Sequence, residues 1–526
     1  MRTYDPFLVA ALVLCCAICA VYPLFQYYVD PDATGYLTVV KYYTAGEYAK
    51  AINGYWSPWS CWLTVLFMKG GLLPFKAAIV ANTIGAVSLL YITQSFFLKY
   101  NIIRRLQWAM CMAMAGFLCY AVYAQSFADL WECFFLLAAL RLIVSERFKY
   151  SPQLWIAAGA IGGLAYFAKA YAFPFFILNT ICCVFYLTRA WNRRNVVHWL
   201  SVSGVMILTM AIVSSPWIYA LHAKYGGWKT STAGTLNLSW YLVGHPFYKE
   251  GILHLLPPPY VDGVSYWDDP WMVNGATPHF YSSAKLFVLQ MVRVGQNAIK
   301  FLKCTSEFSV FFAFIWLMAV GMLLSRKLRC FFSHNKVMLP VLSFLLFPVA
   351  FLLINFEPRY VWYMLPLSML IGALVLQKGL KLLNGQRVFG TFIVIVFALS
   401  YLVTPVWEMQ KMVHDGRDDH AAAQQLQQLG IKGSFTSNAV FGNEALVRSQ
   451  RIAYFAGSQY YNMPYSDVPA SELLQEMRRY GIQYYYYFYP DAVSAQSFQL
   501  KDANGISFKE VSGGRLPGIR VFRVAP

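Results

Sequence analysis

Apolar runs of spanning or near-spanning length recur along the chain at residues 7–27, 74–98, 106–124, 127–144, 154–170, 173–188, 197–219, 308–324, 337–354, 361–376 and 388–406. The hydrocarbon core of a bilayer offers backbone amides no partner, so such runs must satisfy their own hydrogen bonds and cross as helices of at least about 17 residues. Several sit near that limit, and the pattern predicts about eleven spans.

Basic residues set the orientation. Lys99, Arg104 and Arg105 follow the second run, Arg141, Arg147 and Lys149 the fourth, and Arg189, Arg193 and Arg194 the sixth. Arg326, Lys327, Arg329 and Lys336 follow the eighth; Lys378, Lys381 and Arg387 follow the tenth. Every second loop is basic, which puts these loops and Met1 on the cytoplasmic side and loops 28–73 and 221–303 outside. Lys and Arg outnumber Asp and Glu by 42 to 24, a net charge of +18. Spread over short loops between apolar runs, this surplus reads as membrane topology and argues against a nucleic-acid partner.

With 58% hydrophobic and 18% aromatic residues, the chain has more apolar surface than one soluble core can hide. Of the 11 cysteines, most lie inside apolar runs, and no Cys/His set has zinc spacing, so they read as small apolar residues. The opening MRTYDP is too short for a targeting peptide, and the first run is expected to be a retained span.

Two parts follow: a membrane domain over 1–406 and an extracytoplasmic α/β domain over 407–526. In the latter, "RDDHAAAQQLQQLG" and "SELLQEMRRYG" read as amphipathic helices stopped by Gly430 and Gly481, and "IQYYYYFY", "ISFKEV" and "IRVFRV" as strands.

This topology brings Asp30, Asp32, Glu47, Asp129, Lys169, Glu357 and Arg359 to one membrane face, although they are far apart in the chain. Charges at span ends should meet water or each other, because burial in hydrocarbon costs several kcal/mol. Each has a plain alternative. Asp30 suits a solvated boundary residue. Asp32 precedes Tyr36 by four residues and opens residues 33–50, which can form an amphipathic interfacial helix. Asp129 lies in the tight turn 125–129, as a turn former, a helix cap or a functional acid. Lys169 is either a snorkelling lysine or a partner for an anionic headgroup. Glu357 and Arg359 form an exposed ion pair, or Arg359 clamps a phosphate through two parallel hydrogen bonds. "HPFY" at His245 and "YWDDPW" from Tyr266 mix aromatic and acidic groups, a weak signal for sugar binding.

The order of these pieces resembles the C-type superfamily of integral membrane glycosyltransferases, in particular the branch of the protein O-mannosyltransferases and the lipid A aminoarabinose transferase. Asp32, Tyr36, Gly46 and "YWSPWSCWL" match the family's first outer loop, "SFADLWECFFLLAAL" its second acid at Asp129, and "GGLAYFAKAYAFPFF" its lysine segment at Lys169. "PWIYALHAKYGGW" resembles the exit into the large outer loop, and "RYVWYMLPL", with Arg359 and Tyr360, the late "RY...P" segment. Two departures stand out: "DPD" replaces the commoner adjacent acids, so that Asp30 can share or replace the role of Asp32, and alanine replaces threonine and glycine around Lys169.

The resemblance implies a polytopic helical fold in a bacterial inner membrane and transfer of a sugar, with inversion, from a polyprenyl-phosphate donor to a cell-envelope lipid, glycan or protein. An acceptor hydroxyl needs a carboxylate base, which assigns Asp32, and the leaving phosphate needs cations, which assigns Lys169 and Arg359. Asp129 would orient the acceptor or, with Asp32, hold a divalent metal, although no obligatory cofactor is implied. Glu357, Tyr36 and Tyr360 complete the expected substrate contacts. A transporter or flippase of a lipid-linked sugar is the competing class, but its usual internal repeats and midplane charges are missing from the sequence. A scaffold whose outer domain binds a partner is a third reading.

Overall fold

The computed structural model describes residues 4–124, 127–243, 255–274, 278–331, 336–382, 387–439, 444–463, 469–489 and 508–524. Every apolar run is helical in whole or in part. The helices are Pro6–Phe25, Pro74–Lys99, Arg104–Tyr123, Asp129–Ile143, Pro152–Ala168 and Ala172–Thr188. They continue with Arg193–Tyr225, Phe312–Leu324, Met338–Leu346, Met364–Leu382 and Arg387–Leu399. Among the described residues, 6 helical stretches are long and apolar enough to cross a membrane. The others are shorter, as expected for runs near the lower limit. Proline at the first helical position starts several of them, including those at Pro74 and Pro152, where the missing amide hydrogen costs nothing.

By packing, the chain divides into two compact units: one of residues 1–23, 57–234 and 280–411, the other of residues 24–56, 235–279 and 412–526. Parts of both long outer loops therefore group with the C-terminal residues.

The first unit is helical. Its most extensive helix contact among the described residues is between Pro152–Ala168 and Arg193–Tyr225, where Gly159 and Gly163, one turn apart, face the partner helix. A Cβ on Gly159 would lie 2.4 Å from the Met206 carbonyl oxygen, and one on Gly163 would lie 2.5 Å from Val213. Small residues at this spacing let two membrane helices approach to backbone contact. The packing fixes the helix that ends at Lys169.

The second unit is built on a five-stranded sheet of β1 (Ser434–Ser437), β2 (Gln459–Tyr460), β3 (Tyr484–Phe488), β4 (Lys509–Glu510) and β5 (Ile519–Arg523), in the order β2-β1-β3-β5-β4. β1 pairs in parallel with β2 and β3, whereas β5 pairs antiparallel with β3 and β4. The expected tail helices are present as Arg417–Gln428 and Ala470–Arg479, joined by a third, Glu444–Ala456. The tyrosine run is strand β3, and its Tyr486 stacks at 4.0 Å on Phe435 of β1 in the core. Ile506 and Ser507, which open the expected last-but-one strand, lie outside the described residues, as do His245 and Gln125.

The interfacial helix expected over 33–50 is two helices, Pro31–Thr44 and Tyr48–Ala51, separated at Gly46 with φ +77°. Every residue from Ala33 to Val40 is buried, so this stretch has no solvent-facing stripe. Neighbouring elements of the unit, among them Glu444–Ala456 and the turn Tyr266–Asp268, cover it.

Candidate active site

In the first unit, the chain leaves helix Pro152–Ala168 at Lys169 in an extended conformation (φ −154°, ψ 129°), which turns the side chain towards the start of helix Asp129–Ile143. Its ammonium donates to Asp129 and lies 3.7 Å from Glu132. Asp129 and Glu132 share the first turn of their helix, three residues apart and hence on one face. Both carboxylates are buried. The ammonium also lies 4.8 Å from the centre of the Tyr360 ring, within cation–π reach. Tyr360 stacks on Phe351 at 5.5 Å and lies under Arg359 at 5.4 Å. Arg359 in turn donates to Glu357 at 3.0 Å. Asp129, Lys169, Glu357, Arg359 and Tyr360 therefore meet in one polar cluster.

The segment that presents Arg359 and Tyr360 is held from outside the cluster. Gln290 and Asn297, both buried on helix Ala284–Ser306, donate to the carbonyls of Leu353, Leu352 and Ile354, and Lys300 reaches Asn355 at 2.6 Å.

In the second unit, Asp30 caps helix Pro31–Thr44 by accepting from the Ala33 amide at 2.6 Å. Asp32, in the first turn, accepts from the Trp267 indole at 3.1 Å. Trp267 belongs to an aromatic group in which Tyr55, Trp56 and Trp240 lie within 5.2, 5.7 and 5.9 Å of it. Tyr36 packs on Trp56 at 5.0 Å. A Cβ on Gly35 would come within 2.6 Å of the Trp56 ring, so glycine is required there for the indole to lie against the helix. Glu47 pairs with Lys50 at 2.7 Å and takes no part in this group. The entry to the helix is anchored by buried Arg451, which donates to the Val29 carbonyl and to both oxygens of Asp415 and lies 3.4 Å from Asp419.

"YWDDPW" is a capped 3-10 turn. Asp268 accepts from the Val264 and Ser265 amides at 2.6 and 3.4 Å, and Ser265 caps the turn in return. Burial pushes its carboxyl up to about 7, against the opposing pull of the two amides.

No protein-family model and no curated protein matches the chain. Solved structures do. ArnT from Cupriavidus metallidurans bound to undecaprenyl phosphate superposes with a TM-score of 0.56 at 13% identity, over 99% of this chain and 97% of that one. The apo state of the same protein gives 0.55 at 12% identity over the same shares. The chain shares the fold of ArnT.

On this fold, Lys169 is a buried cation shared by two carboxylates and an aromatic face, and Arg359 is an ion-paired cation one residue from that face. Two contributors escaped the sequence reading. Glu132 could have been found from its three-residue spacing to Asp129. Arg451 acts on Val29, 422 positions away, and Trp267, inside the quoted "YWDDPW", acts on Asp32, 235 positions away, contacts for which a single sequence carries no signal. Among the described residues, no group of three or more His, Cys, Asp or Glu is placed to hold a metal ion.

Proposed function

We propose that the chain transfers one sugar, hexosyl or pentosyl, from a polyprenyl-phosphate donor to a lipid, glycan or protein acceptor at the outer face of a bacterial inner membrane, with inversion at the anomeric carbon. The observation that carries this reading is the meeting of Lys169, Asp129, Arg359 and Tyr360 in a chain with the fold of ArnT, a protein whose crystal structure holds undecaprenyl phosphate.

Asp32 is the base. An acceptor hydroxyl must lose its proton as it attacks, and a carboxylate within hydrogen-bond reach supplies the acceptor site. The Trp267 indole donates to Asp32 and orients it, and Asp30 caps the start of the helix. Tyr36 and Trp267 supply apolar faces for a sugar. Lys169 and Arg359 take the negative charge that grows on the leaving phosphate, while Asp129, Glu132 and Glu357 hold the two cations in place before the lipid arrives. The scheme requires no metal. Loss of transfer on chelation with recovery on Mg²⁺ or Mn²⁺ would assign one to Asp32 or Asp129.

The test is release of undecaprenyl phosphate from a panel of lipid-linked sugars by detergent-solubilised protein mixed with cell-envelope acceptors. Without compartments, a transporter has nothing to do and leaves the donor intact. Turnover supports the reading; binding of intact donor without consumption of any panel member contradicts it.

A further inference from the structure

The first unit holds a second charged site, at the end opposite the Lys169 cluster. Helices Asp129–Ile143, Pro152–Ala168 and Ala172–Thr188 have one end each beside Asp129 or Lys169, and their other ends lead to Glu146, Tyr150 and Arg189. At 1.5 Å per residue the two ends lie about 25 Å apart, close to the thickness of a bilayer core. A cavity of about 870 Å³ opens there.

Its charges are unbalanced. Lys149, Arg189, Arg326, Arg329 and Lys336 line it, against the single carboxylate of Glu146. That carboxylate is taken by Lys336 at 3.3 Å and by Lys99 at 2.5 Å. Arg329 is used to cap a helix end, donating to the Leu323 carbonyl at 2.6 Å. Lys149, Arg189 and Arg326 have no ion pair among the described residues. The sequence offers no acid nearby, since residues 147–249 and 308–356 contain neither Asp nor Glu. Cations gathered around one cavity repel each other, and an anion between them would relieve that repulsion. Guanidinium groups are suited to phosphate because their planar fork matches two of its oxygens.

The remainder of the lining is apolar. Leu187, Val337, Met338 and Leu339 form wall, and at the rim Trp191 is 82% exposed and Tyr150 75% exposed. Exposed Trp and Tyr beside basic residues mark the depth of lipid headgroups. A soluble phosphate compound has no use for an apolar wall continuous with the bilayer, whereas a lipid uses both halves.

We infer that this cavity is a binding site for the phosphate headgroup of an anionic phospholipid of the cytoplasmic leaflet, held by Arg189, Arg326 and Lys149 with its acyl chains against Leu187 and Met338. Basic pockets between membrane helices on the cytoplasmic side are where such headgroups bind. The site is independent of the glycosyl-transfer reading.

The experiment counts lipids on delipidated, detergent-purified protein by native mass spectrometry, with dioleoyl phosphatidylglycerol, dioleoyl phosphatidylcholine and glycerol 3-phosphate as probes. Wild type should retain one more phosphatidylglycerol than the Arg189→Gln/Arg326→Gln variant, with at least about tenfold loss of affinity in the variant and no change for phosphatidylcholine. Equal phosphatidylglycerol binding by both proteins overturns the site. Displacement of the lipid by equimolar glycerol 3-phosphate overturns the lipid assignment in favour of a soluble phosphate. A measurement on wild type guards against a variant that fails to fold: a photoactivatable phosphatidylglycerol should crosslink to peptides containing residues 185–191 or 336–339, and crosslinks confined elsewhere contradict the proposal.

Discussion

The ammonium of Lys169 is held between the carboxylate of Asp129 and the face of Tyr360, 4.8 Å from the ring centre, at the point where helix Pro152–Ala168 gives way to extended chain. One residue thus ties together three segments of the membrane unit. A buried charge left without its partner is costly, at about 3–5 kcal/mol. Asp129→Ala, which leaves Lys169 only the more distant Glu132, should therefore lower the thermal unfolding midpoint of the purified protein, whereas Asp129→Ala with Lys169→Met should lose less than the two single changes added together. Additive losses in this cycle would mean that the pair is not coupled.

Tyr360 contributes its aromatic face to Lys169 and Arg359. Tyr360→Phe should keep the affinity for a polyprenyl-phosphate donor within about twofold. Tyr360→Leu should weaken it several-fold, in line with about 0.5–2 kcal/mol for a cation–π contact. The check is donor KM, with kcat read alongside.

Gly159 places the helix that ends at Lys169. Gly159→Val should prevent the close approach to Arg193–Tyr225, where even a Cβ would meet the Met206 carbonyl at 2.4 Å. We expect loss of folded protein in size-exclusion analysis, whereas Gly204→Val, on the second helix but with open space around it, should be tolerated.

Asp268 makes the second unit sensitive to pH. Its carboxyl titrates near 7 in the folded protein, against an ordinary value near 4, because burial disfavours the charged form. Between those values the folded state binds the extra proton, so stability falls as pH rises from about 4 to about 7 and is flat beyond. At about 1.4 kcal/mol per tenfold change in proton affinity, the loss amounts to a few kcal/mol. Thermal unfolding followed from pH 4.5 to 8 should show this slope, and Asp268→Asn, which cannot ionise, should remove it. An unchanged slope in the variant would contradict the assignment.

The membrane helices were legible because hydrocarbon imposes length and apolarity on every span, signals that survive in one sequence. The same constraint made Asp129 and Lys169 conspicuous, since charges beside apolar runs need a reason. Sequence reading also found Tyr360 and Arg359 beside each other in "EPRYVWY", but not that Tyr360 would lie under Lys169, a contact between residues 191 positions apart. The burial of Ala33–Val40 was hidden for a related reason. Its cover comes from residues 266–268 and 444–456, and a helix covered on all sides has no periodicity to read. The glycine pair at 159 and 163 went unread in the sequence, and its spacing does not name the partner helix.

In the proposed reaction, Asp32 takes the acceptor proton while Lys169 and Arg359 receive the leaving phosphate. The most direct measurement is a single-turnover assay of undecaprenyl phosphate release, comparing wild type with Asp32→Asn at equal donor occupancy. The variant should bind donor within about twofold of wild type and release undecaprenyl phosphate at least about 100-fold more slowly, as expected for loss of a general base. Release by Asp32→Asn at the wild-type rate would contradict it.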